Sequence, residues 1–149
     1  MSKTKLLLPA ILLMAGLLFS MNSQTLMAAQ NDHGDPQVKK STPVEVYYFH
    51  LSRRCMTCNT VEKVTEEAVK ELFSDAVAKG EVVYRAVNFE DKENKALIKK
   101  LKVGGQSLLI VHGKEKVDIT DKGFLYAVKE PQKLKEEIKT RIETFLKAS

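Results

Sequence analysis

The chain contains two cysteines, Cys55 and Cys58. They stand three apart in the stretch RRCMTCNT, residues 53–60, directly after Arg53 and Arg54. A C-x-x-C pair can be a redox dithiol, half of a metal site or a structural staple. The staple gains little here. The stabilisation from a cross-link grows with the loop it closes, and two intervening residues are at the bottom of that scale. Zinc takes four ligands, and two thiolates supply only half of them, so His50 or His112 would have to complete the set. Soft ions such as copper(I) or arsenite need fewer ligands and remain open to a bare dithiol. No metal is assigned.

Redox chemistry depends on where the pair sits. The residues before it, Val44–Phe49, are β-branched and aromatic on both faces, with Glu45 the polar exception, and read as a doubly buried strand. A helical pattern starts near Met56. The pair therefore lies at a strand-to-helix junction, in the first turn of a helix. Side chains three apart on a helix share a face, with Cβ atoms roughly 5–6 Å apart, and a small adjustment brings them to the ~3.5–4.5 Å of a disulfide. Helix N-termini carry unpaired N–H groups and positive dipole charge, which favour a thiolate. Cys55 is expected at the exposed lip as the attacking thiolate, and Cys58 one turn in as the resolving thiol. Arg53 and Arg54 either tune that thiolate or are ordinary surface charges. His50, at the end of the strand, is either a proton-transfer group or a packed structural histidine.

Other elements must hold this junction. Val61, Val64, Ala68, Val69, Leu72, Phe73, Ala76 and Val77 recur at helical spacing up to Gly80. Residues 81–89 read as a second strand. Asp91 is the expected N-cap of a helix over KENKALIKKLK, with Ala96, Leu97 and Leu101 inward. Residues 107–112 form a third strand, and 115–120 its hairpin partner. GFLYAV, from Gly123, is either a short helix or an irregular packed segment. A final helix starts at Pro131. Its stripe is Leu134, Ile138, Ile142, Phe145 and Leu146, and its outer pairs are Lys133–Glu137, Glu137–Arg141 and Glu143–Lys147. The order is β-α-β-α-β-β-α, with a parallel first strand pair and an antiparallel last one.

With 149 residues, of which 44% are hydrophobic and 29% charged, the chain suits one ordinary domain. The formal net charge of +5 comes with no long basic run and no aromatic platform, which speaks against nucleic acid. MSKTK followed by the apolar run Leu6–Phe19 reads as a targeting leader, so residues 1–29 are assigned to a signal peptide. An uncleaved anchor is the alternative and would be the membrane contact. Residues 30–42 read as a linker, and 43–149 as the domain. Export places the cysteines in an oxidising, extracytoplasmic compartment.

The C-x-x-C, its strand-to-helix setting and the element order resemble the thioredoxin fold over about residues 43–147. The resemblance implies an α/β domain with a central mixed sheet of about four strands, flanked by helices on both faces. It also implies that Gly105, Gln106 and Ser107 form the substrate-facing loop opposite the dithiol. Arg54 stands where thioredoxins carry Trp, and Met56-Thr57 replaces Gly-Pro. Gln106 or Ser107 occupies the place of a proline that presents substrate and keeps metals off the thiols. VEVYYFHLSRRCMTCNTVE, VNFEDKENKALIKKLKV and SLLIVHGKEKVDIT more narrowly resemble the small exported thioredoxin-like proteins of the nitrophenyl compound nitroreductase subunit ArsF family. That resemblance implies an association with arsenic resistance. The chain shows no phosphate-cradling glycine loop or other flavin or nicotinamide signature, and no cofactor is expected. The expected function is an exported thiol–disulfide oxidoreductase or redox relay. It would be a monomer that meets a redox partner protein through a mixed disulfide. Metal or metalloid binding by the dithiol, or a redox-inert partner subunit, are the alternatives.

Overall fold

The computed structural model describes residues 42–148. The leader and linker readings through residue 41 lie outside the described residues.

Four strands form one mixed sheet in the order β2-β1-β3-β4. Strand β1 is Val44–His50, β2 is Val82–Asn88, β3 is Ser107–His112 and β4 is Glu115–Asp118. Strands β1 and β2 are parallel, with Val44 opposite Val82 and His50 opposite Asn88. Strand β3 runs antiparallel to β1, placing Ser107 beside Phe49, and β4 runs antiparallel to β3. The expected strand 115–120 stops two residues early. The Ile119 N–H bonds the Leu108 carbonyl, and a helix begins at Thr120.

Alternation along β1 builds a core on each face. Val44, Val46 and Tyr48 point to one side with Leu108 and Ile110. There they meet helix α1 (Met56–Leu72), helix α4 (Thr120–Tyr126) and helix α5 (Pro131–Lys147). Tyr47 and Phe49 point to the other side with Leu109 and Val111, against helix α3 (Lys95–Leu101). Gly123 is where α4 comes closest to its neighbours: a Cβ there would lie 3.3 Å from both Leu108 and Val61.

Several local expectations change. The long helix breaks at Phe73, and a five-residue helix α2, Ser74–Ala78, follows. Phe73 takes φ −131° and ψ 28°, outside the helical region, and Leu72 and Val77 are left on the exposed side. Gly80 ends the segment at φ 73°, which a glycine adopts without strain. A 3₁₀ turn, Lys92–Asn94, precedes α3, and Asp91 makes no side-chain cap. Because α3 starts only at Lys95, Ile98 packs inward with Leu97 and Leu101 while Ala96 is exposed. The GFLYAV segment falls mostly in α4. The α5 stripe Leu134, Ile138, Ile142 and Phe145 is buried, with Leu146 packed beside it. Lys133 pairs with Glu130 rather than Glu137, whereas Glu137–Arg141 and Glu143–Lys147 form as expected.

Candidate functional site

The cysteines lie where β1 delivers the chain to α1. Cys55 is the N-cap of α1, with φ −85° and ψ 168°, and its Sγ accepts from the Cys58 N–H at 3.2 Å. A sulfur thus does what a Ser or Asp oxygen does at most helix starts. The first turn holds no acidic side chain to compete for that positive end. The pair is joined as a disulfide, with the two Cα atoms 5.2 Å apart. The sulfurs are unequal in access: Cys55 is exposed, and Cys58 is only 4% exposed. Met56, next to the pair, is 74% exposed, an apolar side chain presented beside the disulfide.

Cys58 is gripped by two other elements. The Tyr48 hydroxyl, from the core of β1, donates to the Cys58 carbonyl at 3.0 Å. Burial, assisted by the charge of Glu62, pushes the Tyr48 pKa up to about 12, so it stays a donor at neutral pH. From the opposite direction the Gln106 amide donates to Cys58 Sγ at 3.3 Å. The loop carrying Gln106 is pinned by the Ser107 hydroxyl on the Gly105 carbonyl and by the Leu108 N–H on Thr120 Oγ1. Gly105, Gln106 and Ser107 line an open polar cleft of about 560 Å³ together with Asp118, Thr120 and Asp121.

Beneath Cys55 lies a second network. The Arg54 guanidinium pairs with the Glu62 carboxylate and donates to His50 Nε2. A guanidinium only donates, so Nε2 must be the accepting nitrogen, which places the ring proton on Nδ1. Nδ1 lies 3.1 Å from the Leu51 carbonyl, the acceptor that this tautomer requires. His50 is 8% exposed and uses both nitrogens in this way. The Arg54 charge is balanced by Glu62, while Arg53 is exposed. Beyond the loop, the Ser52 N–H donates to Glu90 at 2.8 Å and Asn88 donates to the Ser52 hydroxyl. Hydrogen bonds from the Ser52 side chain and backbone hold the Glu90 carboxyl below its usual range.

The structure therefore brings Cys55, Cys58 and Gln106 together, and gathers His50 and Arg54 into a separate cluster with Glu62. Among the described residues, no group of three His, Cys, Asp or Glu comes together around a point that could hold a metal ion. His112 sits at the other end of β3, hydrogen-bonded to the Thr42 carbonyl. Sequence reasoning missed Tyr48 and Glu62. Tyr48 reads as a plain core residue, and its hydroxyl contact to the helix has no sequence signal. Glu62 lies seven residues, about two helical turns, after Cys55, and that spacing was available to be read. Comparison with protein-family models, curated proteins and solved structures finds no match to the chain.

Proposed function

We propose that the protein is an exported thiol–disulfide oxidoreductase or redox relay of thioredoxin-like fold. The observation that carries this reading is the unequal pair at the α1 N-terminus: an exposed Cys55 capping the helix, disulfide-bonded to a buried Cys58. The parallel β1–β2 pair joined through α1 and the antiparallel β3–β4 pair support the thioredoxin-like assignment.

In the reduced protein, the Cys55 thiolate attacks one sulfur of a partner disulfide. A mixed disulfide forms, and the partner's other sulfur leaves as a thiolate. Cys58 then gives up its proton and attacks the Cys55 sulfur. The Cys55–Cys58 disulfide closes, and the partner leaves as a dithiol that has gained two electrons. The reverse sequence oxidises a partner. Access dictates the order: the partner reaches Cys55, while Tyr48 and Gln106 hold Cys58 in place beneath it. Met56 offers a partner an apolar contact beside the reacting sulfur. Any link to arsenic resistance would run through electrons supplied or accepted by this dithiol.

A Cys58→Ser variant tests the reading. It should accumulate a mixed disulfide through Cys55, visible as a reducible adduct on non-reducing gels and absent from Cys55→Ser. A wild-type pair that never cycles with any dithiol donor would overturn it.

A further inference from the structure

We propose that a lysine-lined cleft at the opposite end of the domain from the disulfide holds the phosphate groups of anionic phospholipids, seating that end on an anionic membrane surface. This inference stands on its own observations and does not depend on the redox reading.

Residues 92–116 contain seven lysines and two glutamates. That imbalance equals the +5 formal charge of the whole chain, so the remaining residues sum to zero. The positive charge is therefore concentrated in one segment. In space, the C-terminal end of α3 meets the β3–β4 turn there, around a cleft of about 370 Å³. Lys100, Lys102, Lys114 and Lys116 surround it, and the buried side chains of Leu101 and Val111 line it between them. Lys116 is the register partner of Val111, so it points to the α3 face, where its Nζ donates to the Leu101 carbonyl at 2.6 Å. Lys100, Lys102 and Lys114 are exposed, and none of them pairs with a carboxylate among the described residues. Three uncompensated ammonium groups around an open cleft with an apolar lining suit a phosphate ester carrying an apolar body.

The position of the cleft argues for a lipid source. Thr42, where the chain joins the domain, has its carbonyl 3.1 Å from His112 Nε2. Its methyl group lies 3.9 Å from the position of a Cβ on Gly113, a residue that itself lines the cleft. The residues preceding Thr42 include Lys39 and Lys40 and, further back, the apolar run Leu6–Phe19 behind Lys3 and Lys5. A basic surface close to Thr42, which follows residues of that composition in the sequence, fits an anionic bilayer. The disulfide follows the far end of β1. Seven residues at about 3.3 Å each put it roughly 20 Å along the strand direction. Docking through the lysines would direct Cys55 away from the lipid, toward a partner.

The test uses the full chain and vesicles of phosphatidylcholine alone or mixed with phosphatidylglycerol. The readout is the ratio of partition onto anionic over neutral vesicles, which cancels any contribution of the apolar run to both. Each of Lys100→Glu, Lys102→Glu and Lys114→Glu should lower that ratio at least about five-fold, and the triple variant on the order of 100-fold. A control triple, Lys63→Glu, Lys139→Glu and Lys147→Glu, makes the same charge change on α1 and α5 and should leave the ratio within a few-fold. The single variants keep the test decisive where the triple does not fold. An unchanged ratio in the cleft variants, or an equal fall in the control triple, would overturn the proposal. So would saturable binding of inorganic phosphate without vesicles that the cleft triple abolishes, which would assign the cleft to a free anion. Disulfide cycling should be the same in all these variants, which separates this proposal from the redox reading.

Discussion

Gln106 and Cys58, 48 positions apart in sequence, are joined by a hydrogen bond from the side-chain amide to Sγ at 3.3 Å. A disulfide sulfur is a weak acceptor, and the Cys58 thiolate formed as that thiol gives up its proton is a strong one. The bond should therefore favour the step in which Cys58 attacks the Cys55 sulfur and releases the partner. Hydrogen bonds to charged groups contribute about 1.5–3 kcal/mol, and partial exposure of Gln106 brings this toward about 1 kcal/mol. Gln106→Ala should slow release of a mixed disulfide from Cys55 about five-fold. Rapid-quench kinetics of a preformed Cys55 mixed disulfide measures it. An unchanged release rate would mean that the amide serves only to shape the loop.

That contact also marks the limit of what could be read in advance. The strands were legible because Val44–Phe49 and Ser107–His112 are apolar on both faces, and only a doubly covered sheet buries both. The unequal access of the cysteines followed from their places in the first helical turn. The break at Phe73 was not legible, because the apolar spacing continues through it and the interruption is in the backbone angles. The late start of α3 was hidden for a related reason: Asp91 looks like a cap, but whether its side chain turns back is decided by the loop from β2. Arg54 was read by its nearness to Cys55 in sequence, yet its partners, Glu62 and His50, come from the next helical turns and the end of the strand. The positive charge of residues 92–116 looked dispersed along the chain until α3 and the β3–β4 turn folded together.

Alkaline stability should report on the tyrosines beneath the site. Tyr48 is buried, and Tyr47 is buried and bonded to Glu45; burial is the leading cause that raises each pKa to about 12. Unfolded tyrosine releases its proton near pH 10. The folded protein should therefore keep its full stability below about pH 10 and lose it as the pH rises toward 12. The loss is on the order of 2 kcal/mol per tyrosine. Tyr48→Phe should cost about 1 kcal/mol at neutral pH, from the lost bond to the Cys58 carbonyl, and should flatten the alkaline decline. Urea unfolding at several pH values checks both, and a decline as steep in Tyr48→Phe as in the wild type would refute the assignment.

On the acid side, the Ser52–Glu90 bond should release the loop that carries Arg53 and Arg54. Hydrogen bonds from the Ser52 side chain and backbone hold the Glu90 carboxyl below its usual range. A depressed carboxylate contributes above its unfolded pKa and loses that contribution as the pH falls through the folded value. The Ser52 amide should stay protected from hydrogen exchange at neutral pH and lose protection as the solution is acidified below the ordinary carboxylate range. Glu90→Gln, whose amide oxygen can still accept but does not titrate, should remove the pH dependence. Protection that persists in acid would show that the bond between Asn88 and the Ser52 hydroxyl holds the loop by itself.

The two arginines before Cys55 should behave differently. Arg54 is part-buried, with 25% of its side chain exposed, and it serves both Glu62 and the His50 ring; Arg53 is exposed. Arg54→Ala would leave a carboxylate and an imidazole nitrogen without their donor. It should cost about 1–2 kcal/mol, between the values for exposed and fully buried pairs. Arg53→Ala should stay within about 0.5 kcal/mol. Reactivity should follow a different order from stability. With Glu62 in place, Arg54 presents a neutralised pair to the adjacent Cys55. Glu62→Gln removes the compensating charge, which should favour the thiolate and move the pH profile of Cys55 alkylation in the reduced protein to lower pH. A profile that does not move in Glu62→Gln, combined with the expected stability loss in Arg54→Ala, would make the Arg54–Glu62–His50 cluster a brace for the loop with no influence on the sulfur.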